Sequence, residues 1–360
     1  MTGRRAYLDW LRGIAVLIMI EGHSRDAWTR LDDRGRDAYQ WLNMTSGIGA
    51  PIFLFLAGIS LALAAGSRLR KGLSVSQVGA TTVRRALTIF ALAFLFRLQS
   101  WIISGGPFPQ SLLKVDILNV MGVSLTIAAV LWWLGRSLRV RAFLFVLAVV
   151  TIAFATPVIR SAPAVAHLPD ALELYIRPFG NQATFTLLPW SGFLLAGAAL
   201  GLWLDASRTV DAERRVHITL AALGAGIAIG SYGASFLPPL YPDVGFWTTS
   251  PAFFFLRLGI LMAGVPVAYA LNLRVRAPRL EEFGRASLFV YWIHVEMAYG
   301  VLSWPLHRAL TLEQAFIAFV AFSVLLFVLV KVKARVVARM SHIRRNRTAE
   351  PPVRPSVPNT

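Results

Sequence analysis

Ionisable side chains interrupt the otherwise apolar segment at residues 8–28, among them Asp9, Arg12, His23 and Asp26 on one side and Glu21 on the other. A helix turns 100° per residue, so Arg12 and His23 lie within about 40° of each other, and Asp9 lies about 60° from Arg12. Asp26 follows one turn after His23 on the same side. The spacing predicts one polar helical face with an acid–base pair at each end.

A neutral imidazole can act as a general base near neutral pH, and a carboxylate one turn away can hold its other ring nitrogen. His23 and Asp26 are therefore candidate catalytic residues for removing a proton from a hydroxyl or an amine. The structural alternative is an Asp–Arg pair at one boundary of an apolar helix and a solvated His at the other.

A second polar stripe lies in the segment FGRASLFVYWIHVEMAYG, where Ser287, Tyr291, His294 and Ala298 share one helical face. An unpartnered imidazole is unfavourable in an apolar environment, so His294 needs a hydrogen-bond partner. It is a candidate catalytic residue. The alternative is a buried His bonded to a backbone carbonyl or to a hydroxyl of a neighbouring helix.

Arg257 lies inside another apolar segment and needs an anion, for which Glu296 or a ligand phosphate are the two alternatives. His217 and His307 lie near segment ends, where we expect them to be solvated. His and carboxylate residues show no metal-ligand spacing, and the chain has no cysteine, so no metal site and no thiolate nucleophile are expected.

These groups are set in a chain of 360 residues that is 56% hydrophobic and only 15% charged. The apolar residues occur in blocks of about 20, the length that crosses the hydrocarbon core of a bilayer. The fold class predicted is an all-α polytopic membrane protein with about ten transmembrane helices. The predicted spans are 8–28, 46–66, 84–103, 115–134, 140–158, 184–204, 216–236, 251–272, 285–305 and 312–332.

With loops assigned alternately to the two sides, one side carries 25 of the 36 Lys and Arg residues. This excess is the positive-inside signal, so both termini are predicted to be cytoplasmic. The net charge of +18 then reflects topology and lipid contact, and no nucleic acid partner is expected. Residues 1–335 form the predicted membrane domain, and residues 336–360 a basic, Pro-rich, disordered cytoplasmic tail.

Three stretches together resemble the transmembrane acyltransferase superfamily. They are Arg5–Ile20 with its L-D-W-L-R-G run, Gly49–Leu61, and Phe283–His294. The resemblance is to the bacterial branch related to the heparan-α-glucosaminide N-acetyltransferase catalytic domain. D-I-L-N-V-M-G at Asp116–Gly122 is similar to a middle-helix pattern of that branch.

The resemblance implies transfer of an acyl group from cytoplasmic acyl-CoA to a sugar amine or hydroxyl across the membrane. Asp9 and Arg12 would organise the cytoplasmic end, and His23 would lie at the reaction centre. The family's H-x-x-W stretch has no histidine here, where residues 38–41 read A-Y-Q-W. That departure transfers the expected base role to His23.

An acyl-transfer site also needs donors for the developing oxyanion, for which Tyr291, His294 and Arg257 are alternatives. The CoA phosphates need cations, which the basic loops at 68–85 and 274–285 supply together with Arg12. Asp9, Arg12, Arg257 and Tyr291 are the predicted donor-binding residues.

The sequence thus predicts a multi-pass acyltransferase of the bacterial cytoplasmic (inner) membrane. Its donor would be acetyl-CoA or another acyl-CoA, with no metal, and its acceptor a glycan or other hydroxyl- or amine-bearing molecule. A homo-oligomer is left open. The rival prediction is a transporter, or a non-catalytic subunit on the same scaffold, with Asp9, His23, Arg257 and His294 relaying protons or an anionic solute.

Overall fold

A computed structural model describes residues 5–178 and 185–349, with side chains described as far as residue 341. The described chain is helical and contains no strand, only one isolated bridge between Thr29 and Leu310. Its α-helices are α1 Ala6–Trp28, α2 Asp37–Ser46, α3 Gly49–Arg70, α4 Val75–Ser104, α5 Gln110–Leu113, α6 Ile117–Leu134, α7 Leu138–Ser161, α8 Asp170–Ile176, α9 Leu187–Ala206, α10 Val210–Gly233, α11 Phe246–Thr249, α12 Pro251–Arg274, α13 Pro278–Arg285, α14 Ser287–Tyr299 and α15 Leu312–Ala349.

Within the described ranges, eight helical segments are long and apolar enough to cross a membrane, which confirms an all-α, multi-pass membrane protein. They contain α3, α4, α6, α7, α9, α10, α12 and α15. The other two predicted spans correspond to α1 and α14. α1 carries several charged residues, and α14 has only 13 residues before a 3-10 turn at Val301–Leu306. The total of ten and the side of the termini stay predictions.

The closest helix contact in the core is between α3 and α9, and glycines make it possible. A Cβ added to Gly58 would lie 1.9 Å from the carbonyl oxygen of Leu194, and one added to Gly197 would lie 1.9 Å from that of Phe55. Small residues let membrane helices approach to backbone contact. The two helices therefore form one rigid wall of the bundle.

Helix α1 lies at the centre and contacts α3, α12, α13, α14 and α15. Its contact with α13 is also made through glycine. A Cβ on Gly13 would lie 2.4 Å from the carbonyl oxygen of Leu280, and one on Gly284 would lie 2.1 Å from that of Asp9. The first and third family-like stretches are therefore packed directly against each other, backbone to backbone.

The start of α1 is tied to α10 by a polar cluster. Arg5 Nε donates to Glu213 Oε1 at 2.8 Å, and the Tyr7 hydroxyl donates to the same oxygen at 2.9 Å. His217 is stacked on Tyr269, with ring centroids 4.0 Å apart, and is only 3% exposed. The expectation that His217 is solvated was wrong, because aromatic rings on α1 and α12 cover a position that the sequence places near a helix end.

The last helix extends further than predicted. α15 continues to Ala349, so the boundary placed after residue 335 lies inside a helix. The reason is local, since residues 336–349 contain no proline or glycine to stop the helix before Pro351. Residues 350–360 lie outside the described part of the chain.

We expect Gly197→Leu to lower the free energy of unfolding by about 1–3 kcal/mol or more, because the added side chain meets the backbone of α3. Gly226→Ala is the matched control, since an added Cβ there meets nothing within 4 Å. Thermal unfolding of the purified protein in detergent measures both. Equal melting temperatures for the two variants would contradict the close approach of α3 and α9.

Candidate functional site

A cavity of about 1180 Å³ lies between α1, α3, α4, α6 and α14. Arg12 and His23, eleven positions apart on α1, both line it. At 1.5 Å per residue they are about 16 Å apart along the helix axis. The polar face predicted for α1 thus opens into one continuous space, whose two ends we call the Arg12 end and the His23 end.

At the Arg12 end, Arg12 Nη1 lies 2.7 Å from Asp9 Oδ1. Asp9 is only 2% exposed and lies behind the guanidinium, so it orients Arg12 and does not line the cavity. Arg12 also hydrogen-bonds the Ser60 hydroxyl on α3. The same end of the cavity is lined by three further cations, Arg68, Arg85 and Arg285.

At the His23 end, α1 and α14 bring two histidines into contact. His23 Nδ1 lies 2.8 Å from His294 Nε2, and the two rings are nearly parallel at 8°. His294 Nδ1 lies 2.8 Å from the backbone carbonyl oxygen of Val290. His294 is fully buried, whereas His23 lines the cavity.

The carbonyl of Val290 fixes the proton positions in the row of hydrogen bonds that joins Val290, His294 and His23. A carbonyl oxygen can only accept, so His294 Nδ1 carries the hydrogen and His294 Nε2 is an acceptor. His23 Nδ1 must then donate to it. The remaining nitrogen of a neutral His23, Nε2, keeps its lone pair, which is the state that a general base requires.

Asp26, the predicted orienting carboxylate, has other partners. Its Oδ2 accepts a hydrogen bond from the Tyr299 hydroxyl at 2.9 Å, and its Oδ1 lies 3.5 Å from Arg34 Nη1. The position that the sequence assigns to Asp26, beside His23 Nδ1, is occupied by His294. Helical spacing identifies only the neighbours of His23 on α1 itself. It cannot identify His294, which is 271 positions away in the sequence.

A second polar group lines the cavity between the two ends. Arg97 Nη2 on α4 lies 3.1 Å from Asp116 Oδ2, and Tyr291 lies close enough to Asp116 to interact with its charge. Asp116 caps α6, accepting from the backbone N–H of Leu118 at 2.9 Å. The D-I-L-N and Y-W-I-H stretches therefore meet at this carboxylate.

Sequence reasoning missed the pairing of Arg97 with Asp116, although the Asp-x-x-Asn spacing of a capping box was readable. Lys114 lines the cavity beside this pair. Its partial burial, and then repulsion from Arg97, lower the pKa of Lys114 from its ordinary value.

Arg257 is not among the residues that line this cavity. Its guanidinium carbon lies 4.0 Å from the centroid of the Phe253 ring, a cation–π contact within α12. Glu296 lines the cavity together with Ser100 of α4, away from Arg257. The ion pair between Arg257 and Glu296, one of the two alternatives, is therefore not formed.

Among residues 5–178 and 185–341, no three His, Asp or Glu side chains form a group that could hold a metal ion. The site consists of a basic end, an imidazole pair and a buried Arg–Asp–Tyr group. What it can do chemically is hold an anionic group at one end and accept a proton at the other.

The sequence profile described as "Heparan-alpha-glucosaminide N-acetyltransferase, catalytic" matches residues 4–230. The match covers well over half of the chain and includes Asp9, Arg12, His23 and Asp116. It ends before α14, which supplies His294. No curated protein matches the chain significantly.

The Arg97–Asp116 pair allows a test of the site's stability. We expect Arg97→Leu to lower the free energy of unfolding by about 3 kcal/mol, because it leaves a buried carboxylate without its cation. Adding Asp116→Asn removes that charge and keeps a side chain that caps a helix well. Denaturation of both variants in detergent should therefore show partial recovery in the double variant, and a double variant less stable than Arg97→Leu would contradict the pairing.

Proposed function

Because the chain belongs to the heparan-α-glucosaminide N-acetyltransferase catalytic family, a membrane acetyltransferase family, we propose that it moves an acetyl or other acyl group from acyl-CoA to a hydroxyl or amine of a sugar. The observation that carries the proposal is the His23–His294 pair, which lies in the same cavity as the basic Arg12 end. Donor and acceptor would enter from opposite ends and meet at His23.

The Arg12 end suits the phosphates of CoA. Arg68, Arg85 and Arg285 supply three positive charges beside the Asp9–Arg12 pair, and guanidinium groups bind phosphate oxygens in a bidentate way. From there an extended pantetheine arm would follow α1 and α3 toward His23. Along α1 and α3 this stretch is lined by apolar residues such as Met19, Phe53 and Ala57, while the charged Arg97–Asp116 pair belongs to α4 and the start of α6.

At the His23 end, the acceptor's nitrogen or oxygen would attack the thioester carbonyl while His23 Nε2 takes its proton. The carbon–sulfur bond then breaks, the acyl group remains on the acceptor, and the CoA thiolate takes the proton back from the His23 imidazolium. His294 orients His23 by accepting its Nδ1–H. Tyr291, which lines the cavity with Asp116, would form the wall next to the acceptor.

Orientation follows from the same assignment. If acyl-CoA is cytoplasmic, the Arg12 end and both termini face the cytoplasm, as the one-sided distribution of Lys and Arg predicts. The proposed location is the bacterial inner membrane.

A proton-coupled or anion transporter is the rival function, and experiments on the purified protein distinguish the two. An enzyme releases free CoA from labelled acetyl-CoA, whereas a transporter accumulates solute in liposomes.

We expect His23→Ala to reduce acyl transfer by about 10²–10⁴-fold, the usual contribution of a general base. His294→Ala should also lower kcat, since it leaves His23 Nδ1 without its acceptor. His167→Ala is the control, an exposed histidine outside the cavity. Release of CoA from labelled acetyl-CoA is the measurement, and full activity of His23→Ala would remove His23 from the reaction.

The donor assignment is tested at the basic end. Arg85→Ala and Arg285→Ala should each raise KM for acyl-CoA about tenfold, equivalent to about 1.4 kcal/mol, with little change in kcat. Arg84→Ala is a matched control, because Arg84 is exposed on the same helix and does not line the cavity. Steady-state kinetics would refute the assignment if all three variants behaved alike.

A further inference from the structure

The cavity opens at the His23 end between the C-terminal ends of α4 and α14. One to two turns before these ends the helices are joined by Trp292 Nε1, which donates to Gln99 Oε1 at 2.7 Å. Ser104 at the end of α4 and Tyr299 at the end of α14 are both exposed and both line the cavity.

The two sides of this opening are apolar on the outside. After Ser104 the chain presents Phe108, which is 64% exposed, and after Tyr299 it presents Leu302, which is 81% exposed. We call these residues and their exposed apolar neighbours the mouth rims. The neighbours are Ile102 and Ile103 on one side and Val301 and Trp304 on the other.

The inside of the opening is polar. Arg97, Lys114, Asp116 and Glu296 line the cavity just within it, with Trp190 as an aromatic wall. A polar pocket framed by large exposed apolar side chains matches a molecule that is itself polar at one end and apolar at the other. Phe108 follows the membrane-crossing segment that ends at Ser104, and Leu302 follows the end of α14, so both rims lie beside helix ends, where apolar side chains can contact the bilayer interface.

Resting on the function proposed above, we propose that the acceptor is a membrane-anchored amphiphile. Its sugar head enters the cavity toward His23, and its apolar chain stays in the bilayer, passing between the mouth rims on α4 and α14. A water-soluble sugar would use the polar lining but gain nothing from the rims. The bilayer itself takes up the alkyl chain and so concentrates the amphiphile beside the rims, whereas a water-soluble sugar reaches the cavity only from solution.

The test is photolabelling of the full-length chain in phosphatidylcholine vesicles. The probe is dodecyl glucosaminide with a diazirine on its alkyl chain, and labelled residues are located by peptide mass spectrometry. We expect labelling to concentrate on the rim segments around Phe108 and Leu302, and to saturate. Unlabelled dodecyl glucosaminide in tenfold excess should compete, and methyl glucosaminide at the same concentration should not.

Leu302→Ser should reduce rim labelling several-fold, and Ile229→Ser should leave it unchanged. Ile229 is the matched control, since it is 73% exposed on α10 and does not line the cavity. Labelling of the rims that is no stronger than at Ile229, or that does not saturate, would mean ordinary lipid contact only and would overturn the proposal.

The result is independent of catalysis. His23→Ala should label at the rims as the unmodified chain does, because the rims and not the imidazole hold the alkyl chain. Absence of CoA release with intact, saturable rim labelling would refute the acyltransferase and leave the amphiphile site standing. If labelling does not saturate, and CoA release is as efficient with methyl glucosaminide as with the dodecyl compound, the amphiphile site is refuted and the acyltransferase stands.

Discussion

The structure depends on one constraint, which is that an imidazole placed in an apolar bundle needs a hydrogen-bond partner for each ring nitrogen that cannot reach water. His294 meets it completely, with Val290 on one side and His23 on the other. That requirement fixes where α14 lies against α1. It also sets the proton positions that make His23 a base, so packing and chemistry follow from the same two bonds.

The bundle combines a rigid half with a looser half. Glycines press α3 against α9 and α10 against α12, backbone to backbone, and these pairs cannot separate without losing many contacts. Around the cavity, α4 and α14 are instead joined by side chains, chiefly Trp292 with Gln99 and with Phe96. Any widening of the cavity to admit substrates is therefore expected at α4 and α14, next to the proposed amphiphile site.

The helical spans and the polar face of α1 could be predicted from the sequence. Apolar blocks predicted where each membrane-crossing helix of the described residues lies, although α4 begins nine residues before its predicted span and α15 continues to Ala349. Helical periodicity placed Arg12 and His23 on one face, and both line the same cavity. What periodicity cannot give is the meeting of distant helices. The contacts of His23 with His294 and of Arg97 with Asp116 depend on tertiary packing, and so does the aromatic cover that buries His217.

The carbonyl of Val290 has a consequence for where a proton can travel. An amide oxygen accepts a hydrogen bond but does not take up and pass on a proton under ordinary conditions, so the imidazole chain is a dead end. A proton gained by His23 has no onward route through α14 and must leave by the face on which it arrived. Such an arrangement favours chemistry that returns the proton to a departing group beside it, and it is poorly suited to conducting protons from one side of a bilayer to the other.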